Sequence, residues 1–269
     1  MTQPITFPGL GLSFTINPIA FSIFGMGVHW YGIIIVTGFL LAFLLANKDS
    51  NTFGIKQSDV SDLLLVLTPL AIIGARLYYV AFEWSSYKNN LLEVFNIHNG
   101  GLAIYGGILT AVIVAYVFTK KRKISTLKFF DFLIPYAALG QSIGRWGNFV
   151  NQEAHGVATT LPWRMEIFDP SIMQRIAVHP TFLYESLWNL GLFFFLLWFR
   201  KRKKYEGEVF TLYLALYGFA RFFIEGMRTD SLYIGTLRVS QMLAGLCFIV
   251  CIALFFIRRH KNRKPEANN

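Results

Sequence analysis

Arg145 stands in the run Gly144-Arg145-Trp146-Gly147-Asn148-Phe149-Val150-Asn151-Gln152-Glu153-Ala154-His155-Gly156, at the end of an otherwise apolar segment. An arginine near a hydrocarbon core costs at least about 2.5–3.5 kcal/mol on insertion scales, so its default reading is a group that is paired or faces a ligand. Arg76 and Arg221 also fall within apolar stretches. Two or three guanidiniums in a partly dry cavity suit a phosphate, because the planar fork gives bidentate, charge-assisted hydrogen bonds and stays ionised. Plain neutralisation is the alternative: Arg221 and Glu225 are spaced i, i+4 and can pair along one helix, and such a pair can still touch a ligand. Arg145 has Glu153 only beyond the helix end, which makes it the better phosphate ligand of the two.

The elements that must position these groups are membrane spans. The chain is 54% hydrophobic and 17% aromatic, with a mean hydropathy of +0.47, far above a soluble domain. A span needs roughly 20 mostly apolar residues, and seven stretches qualify, near residues 26–46, 60–82, 101–119, 129–150, 181–199, 208–226 and 238–257. The fold class expected is an all-α integral membrane protein of seven transmembrane helices.

The net charge of +10 raises the question of nucleic acid, and the placement of the charges answers it. Most of the 25 Lys and Arg residues lie in alternate connections: Lys48 and Lys56, then 120–123 with Lys128, then 200–204, then Arg258, Arg259, Lys261, Arg263 and Lys264 in the tail. By the positive-inside rule the N-terminus is outside and the C-terminus cytoplasmic. The basic tail then reads as a topology and anionic-lipid anchor, with no nucleic-acid partner.

This topology puts Arg76, Arg145 with Asn148, and Tyr217, Arg221 and Glu225 near the outer ends of the second, fourth and sixth spans. The first, third and fifth spans run inward and open with His29-Trp30-Tyr31, with Gly100-Gly101-Leu102-Ala103-Ile104-Tyr105-Gly106-Gly107, and with His179-Pro180-Thr181-Phe182-Leu183-Tyr184-Glu185. Six helices thus bring their rare polar groups to one depth, which implies a shared outer-leaflet site. Snorkelling accounts for a single case such as Arg76 but poorly for the convergence. Gly140 with Gly144, and Gly106 with Gly107, make small faces that allow close helix packing or leave room for a lipid.

Residues 1–25 carry no Lys or Arg and contain Pro4, Pro8 and Pro18, so they lack the basic start of a cleavable signal peptide and read as a retained outer segment at the interface. Residues 83–100 form an outer loop, and 151–178 a longer one that makes a small extracytoplasmic head and a candidate lid. The whole chain, 1–269, reads as one polytopic membrane domain with that insertion. Cys247 and Cys251 are four apart with no second pair, so neither a metal site nor a cofactor is expected.

The block Gly144-Arg145-x-Gly147-Asn148-Phe149-x-Asn151-x-Glu153-x-x-Gly156 resembles the signature of the bacterial prolipoprotein diacylglyceryl transferases. His29-Trp30-Tyr31-Gly32, the Gly100–Gly107 run, His179-Pro180-Thr181-x-x-Tyr184-Glu185 and Tyr217-Gly218-x-x-Arg221-Phe222-x-x-Glu225-x-x-Arg228 follow the same family in order over most of the chain. The resemblance implies transfer of the diacylglyceryl group of phosphatidylglycerol to the lipobox cysteine of a prolipoprotein signal peptide. Glycerol 1-phosphate is then released. It also implies a multi-pass protein of the bacterial cytoplasmic membrane, with its site facing the outer leaflet.

On that basis Arg145 and Arg221 stabilise the leaving phosphate, and Asn148, Asn151, Glu153 and Gly156 position the headgroup and line the entry. Tyr31 hydrogen-bonds the lipid or sits as an interfacial tyrosine, and Arg76, Tyr217 and Glu225 complete the substrate site. Many family members carry a histidine where this chain has Tyr105. A phenol, with a pKa of about 10, is a poor base at neutral pH. Tyr105 therefore orients substrate or relays a proton, and the arginine field lowers the thiol pKa. A lipid or anion transporter is the competing class, but it typically builds a midplane site from broken helices in inverted repeats, and neither is visible here.

Overall fold

The computed structural model describes residues 3–96 and 100–262; Arg263 and Lys264 of the basic tail lie outside the described residues. In chain order the elements are β1 (Ile5–Phe7), β2 (Leu12–Phe14), β3 (Ile19–Ile23), β4 (Met26–His29), α1 (Trp30–Asp49), α2 (Gln57–Phe82), a one-turn α3 (Trp84–Tyr87), α4 (Ile104–Lys121), α5 (Thr126–Asn151), β5 (Met165–Asp169), β6 (Gln174–Val178), α6 (Thr181–Phe199), α7 (Glu208–Met227), β7 (Tyr233–Ile234), β8 (Leu237–Arg238) and α8 (Val239–Lys261).

Six of these helices, α1, α2, α4, α6, α7 and α8, are long and apolar enough to cross a membrane. They expose Leu, Ile, Val and Phe along their lengths, for example Val36, Leu40 and Leu44 on α1 and Leu246, Ile249 and Phe256 on α8. Such surfaces are a liability in water and the expected surface in lipid. The protein is a mostly helical, multi-pass membrane protein.

The expected count of seven spans is not supported. The helix that fails is α5, which at 26 residues is about 39 Å long but carries Asp131, Gln141, Ser142, Arg145 and Asn148 among its apolar residues. Its polar and small positions are used against neighbouring helices. A Cβ added at Gly144 would lie 3.1 Å from Ile35 of α1, one at Gly147 would lie 2.7 Å from the Tyr31 ring, and Gly38 of α1 meets Ile143 at 3.0 Å. A helix enclosed in this way needs little apolar surface of its own.

An all-α description is also incomplete. Residues 3–29 and the 151–178 insertion hold strands, and β1, β2, β5 and β6 form one antiparallel sheet in the order β2-β1-β5-β6. Period-two alternation builds it: Ile5 and Phe7 of β1, and Met165 and Ile167 of β5, point inward while Thr6 and Glu166 face each other across the ladder. The inward side chains join Val178, Phe149 and Val150 at the end of α5, and Phe182 at the start of α6, in one buried cluster. The expected lid is therefore a sheet packed onto two helix ends. A second hairpin, β3–β4, leads directly into α1, and β7–β8 joins α7 to α8.

The chain divides into two compact units. One is Ala46–Phe132; the remainder of the described chain forms the other. In the first, α2 lies along α4 so closely that a Cβ at Gly106 would come within 2.4 Å of the Gly74 carbonyl oxygen. In the second, α7 packs along both α6 and α8.

Candidate functional site

Two serines fix the contact between α5 and α6. Ser142 Oγ donates to the Ser186 carbonyl at 2.8 Å and Ser186 Oγ donates back to the Ser142 carbonyl at 2.9 Å. Trp146 Nε1 adds a bond to Ser186 Oγ at 3.1 Å. Residues three further along α5 and one back along α6 then meet: an Arg145 Nη donates to Glu185 Oε1 at 2.6 Å.

Glu185 is the hub. It is almost wholly buried, and its other oxygen accepts from Arg221 of α7 at 3.1 Å. Tyr217 OH, one helical turn before Arg221, donates to Oε1 at 3.2 Å. The second Nη of Arg221 reaches Glu225 at 2.6 Å, the i, i+4 pair expected from the sequence. Three helices thus hold two guanidiniums and two buried carboxylates in one chain of charge-assisted bonds.

The chain continues outward through Asn148, which accepts from Arg145 at 3.2 Å and donates to Glu153 at 2.8 Å. Asn151 also donates to Glu153, at 3.4 Å. Gln152 and Ala154 take positive φ values of 54° and 55°, so the chain turns sharply where α5 ends and brings Glu153 back over the helix. Gly156 is used for close approach: its N–H donates to the His179 carbonyl at 3.0 Å, and a Cβ there would lie 2.7 Å from His179 Cβ. The Tyr31 ring packs on Gly147, one residue before Asn148.

Arg76 and Tyr105 belong to the other unit. Arg76 is buried and turned onto the backbone of the loop that follows its own helix. Nε donates to Val94 O at 2.8 Å, one Nη to Gly100 O and Gly101 O at 3.0 and 2.9 Å, and the other to Glu93 O and Asn96 O at 2.6 and 2.8 Å. A guanidinium has five N–H donors, and all five of Arg76 are engaged. Tyr105 is in the first turn of α4 and partly exposed.

The contrast with Arg145 and Arg221 is chemical. Among the described residues Arg145 makes two hydrogen bonds, and Arg221 makes one besides its ion pair with Glu225, so donors remain for a ligand, and both side chains are partly exposed, at 23% and 18%. The sequence analysis assigns Glu185 no partner of its own: no arginine lies within a helical turn of it, and its two arginine partners come from α5 and α7. The available signal was the cost of an unpaired carboxylate inside a span. Likewise Arg145 takes its carboxylate from α6, while Glu153 is held by the two asparagines.

Beyond α7, Arg228 makes a two-pronged pair with Asp230, at 2.9 and 2.6 Å. Burial pushes the Asp230 carboxyl up, but the hydrogen bond and charge of Arg228 outweigh it and hold its pKa below the usual aspartate value. Arg238 donates to the Glu225 carbonyl and, at 2.8 Å, to Tyr233 OH. The end of α7 is thereby tied to the β7–β8 hairpin, and Val157 N–H donates to the Met227 carbonyl at 2.7 Å.

Comparison with known proteins adds a family. A family model described as prolipoprotein diacylglyceryl transferase matches residues 18–257. A Finegoldia magna protein named phosphatidylglycerol--prolipoprotein diacylglyceryl transferase is 49% identical over 237 residues, covering 88% of this chain and 93% of the relative. A Clostridioides difficile protein of the same name is 44% identical over 250 residues, covering 92% and 98%, and one from Enterococcus faecalis is 46% identical over 253 residues, covering 91% of each.

Proposed function

Since this chain belongs to the prolipoprotein diacylglyceryl transferase family, we propose that its Arg145–Glu185–Arg221 cluster is where the phosphate of the lipid substrate is bound and released. The chain is a phosphatidylglycerol–prolipoprotein diacylglyceryl transferase: it moves a diacylglyceryl group from phosphatidylglycerol to a prolipoprotein in a membrane. The acceptor is the thiol of a lipobox cysteine in the signal peptide. The sulfur attacks the glyceryl carbon that bears the phosphate, the carbon–oxygen bond breaks, a thioether forms and glycerol 1-phosphate leaves with the electron pair.

One observation carries the assignment: among the described residues Arg145 and Arg221 retain unspent N–H donors on partly exposed side chains, whereas Arg76 has none. Donors already fixed in place by Glu185 need little reorganisation as charge develops on the departing phosphate, which is the general advantage of a preorganised site. Asn148, Asn151, Glu153 and Tyr217 hold that array in register and face the headgroup, with Glu225 anchoring Arg221. Gly156 lets the entry segment approach α6, and Tyr31, seated on Gly147, hydrogen-bonds the lipid near its glyceryl oxygens. Arg76 is assigned to ordering the outer loop of its unit and makes no phosphate contact.

The thiol proton needs no strong side-chain base in this scheme, because the guanidinium field favours the thiolate and the leaving phosphate ester takes up a proton from water. Tyr105, a phenol in the first turn of α4, is not needed as that base. The Tyr105→Phe variant is therefore expected to keep a substantial part of its turnover; abolition at every pH tested, as complete as for Arg145→Ala, would overturn the scheme.

We read α5 as a seventh crossing, enclosed by its neighbours, with the N-terminus outside, the C-terminus cytoplasmic and the sheet as an extracytoplasmic head. The site then faces the outer leaflet of a bacterial cytoplasmic membrane, where phosphatidylglycerol and the signal peptide both enter laterally. The test is an in vitro transfer from phosphatidylglycerol labelled in its diacylglyceryl part to a lipobox peptide. Label on the cysteine peptide, none on its Cys-to-Ser counterpart and none with Arg145→Ala is the expected result. Undiminished transfer by folded Arg145→Ala would remove the cluster from the reaction.

A further inference from the structure

The chain has no Lys, Arg, Asp or Glu before Lys48. Within that uncharged stretch β3 and β4 form a hairpin whose cross-strand partners include Phe21 with Val28 and Ile23 with Met26. Directly opposed residues share a face, so Phe21, Ile23, Met26 and Val28 make one apolar face. Ser22 and Gly27, also paired, lie on the other. The apolar face is open: Phe21 is 51% exposed, Ile23 48% and Met26 68%, and Phe24 at the turn is 98% exposed. The turn is a demanding place for that residue, since Phe24 has φ 50° beside Gly25 at 82°, a conformation for which Asn or Gly is the usual choice.

The base of the hairpin is closed by a bond from Trp30 N–H to the Pro18 carbonyl at 2.9 Å, and Trp30 is the first residue of α1. The apolar face is thus continuous with a helix whose own surface is built for lipid. A two-stranded hairpin has unpaired backbone groups along both outer edges, which the hydrocarbon core does not tolerate, so the depth it can reach is the glycerol-ester and upper acyl region.

We propose that the β3–β4 hairpin is a second membrane anchor, with the tip Ile23-Phe24-Gly25-Met26 inserted among the upper acyl chains of the leaflet in which α1 begins. The occupant of the apolar face is phospholipid. Because β4 runs into α1 without a linker, the depth of the tip also fixes the depth of Tyr31. This inference rests on the membrane character of α1 and is independent of the assignment of the arginine cluster.

The test places an environment-sensitive fluorophore on Phe24→Cys in a Cys247→Ala/Cys251→Ala background, reconstituted in phosphatidylglycerol-containing nanodiscs. A second sample, labelled at Lys261→Cys, serves as the water-exposed reference. Transfer activity and monodisperse elution verify that each labelled sample is folded. The expected result is blue-shifted emission at Phe24→Cys, quenched by lipids with a nitroxide near the top of the acyl chain, less by a nitroxide near the chain end, and little by iodide. Iodide quenching equal to that of the Lys261→Cys sample would place the tip in water and overturn the proposal. Protection from both iodide and nitroxide lipid would mean that protein covers the face, whether a second copy or another partner, and would overturn it equally.

Discussion

Arginine is the costly residue in this membrane protein, and Arg76, Arg145 and Arg221, each within a largely apolar helix, are used in two ways. Arg76 gives all five donors to carbonyls, while Arg145 and Arg221 each leave donors open. Replacing Arg145 or Arg221 by Lys keeps a charge but loses the planar fork, and each substitution is expected to lower kcat about 100-fold, the usual effect of removing one donor from a preorganised anion site. Arg76→Lys is expected to act instead on thermal stability and on protease sensitivity of residues 83–96, with the KM for lipid little changed. Glu185→Ala leaves two guanidiniums short of their shared carboxylate, and breaking a buried pair typically costs about 3–5 kcal/mol. A thermal unfolding midpoint in detergent that stayed at the wild-type value would contradict the hub role. The arginines and the Arg221–Glu225 pair were legible because a charge in an apolar run and an i, i+4 spacing are local signals. Glu185 was placed at the shared depth but given no role, because its partners are brought by α5 and α7.

At the scale of elements, glycine and serine spacing sets the register. Ser142 and Ser186 staple α5 to α6, and Gly144 and Gly147 let α1 approach α5. The small faces noted in the sequence are thus close-packing faces, including Gly106 against Gly74. The head sheet escaped the sequence reading: its strands are only three to five residues long, and Ile5-Thr6-Phe7 pairs with residues some 160 positions away. Just beyond α7, the lowered Asp230 pKa has a definite sign. A carboxyl whose folded pKa is below its unfolded value adds stability that is present above the unfolded pKa, about 3.9 for aspartate, and is lost as pH falls through the folded value. The Arg228–Asp230 pair is therefore expected to weaken only in acid, and Asp230→Asn is expected to remove that acid dependence from hydrogen exchange at 228–231. The same dependence in Asp230→Asn would assign it to another group.

Across the whole molecule, composition and the alternation of charge were enough to identify a multi-pass membrane protein, and the order of the motif blocks was enough to point to the family. The sequence counts seven spans by including 129–150, whereas six helices of the structure are long and apolar enough to cross, the difference being α5 with its polar residues. The helix least suited to lipid carries Arg145 and Asn148, and its end packs against the sheet through Phe149 and Val150. A reaction between a membrane lipid and a signal peptide requires such a compromise, with charge kept inside the protein and apolar surface kept outside it.

The central claim is that Arg145 and Arg221, with their unspent donors, hold the phosphate of phosphatidylglycerol. Its most direct test is equilibrium binding of a fluorescent phosphatidylglycerol to the purified protein in neutral detergent, with glycerol 1-phosphate as competitor, for wild type, Arg145→Ala, Arg221→Ala and Arg76→Lys. The account predicts competed binding in wild type and in folded Arg76→Lys, and its loss in both alanine variants. Retained, phosphate-competed binding in folded Arg145→Ala and Arg221→Ala would contradict it.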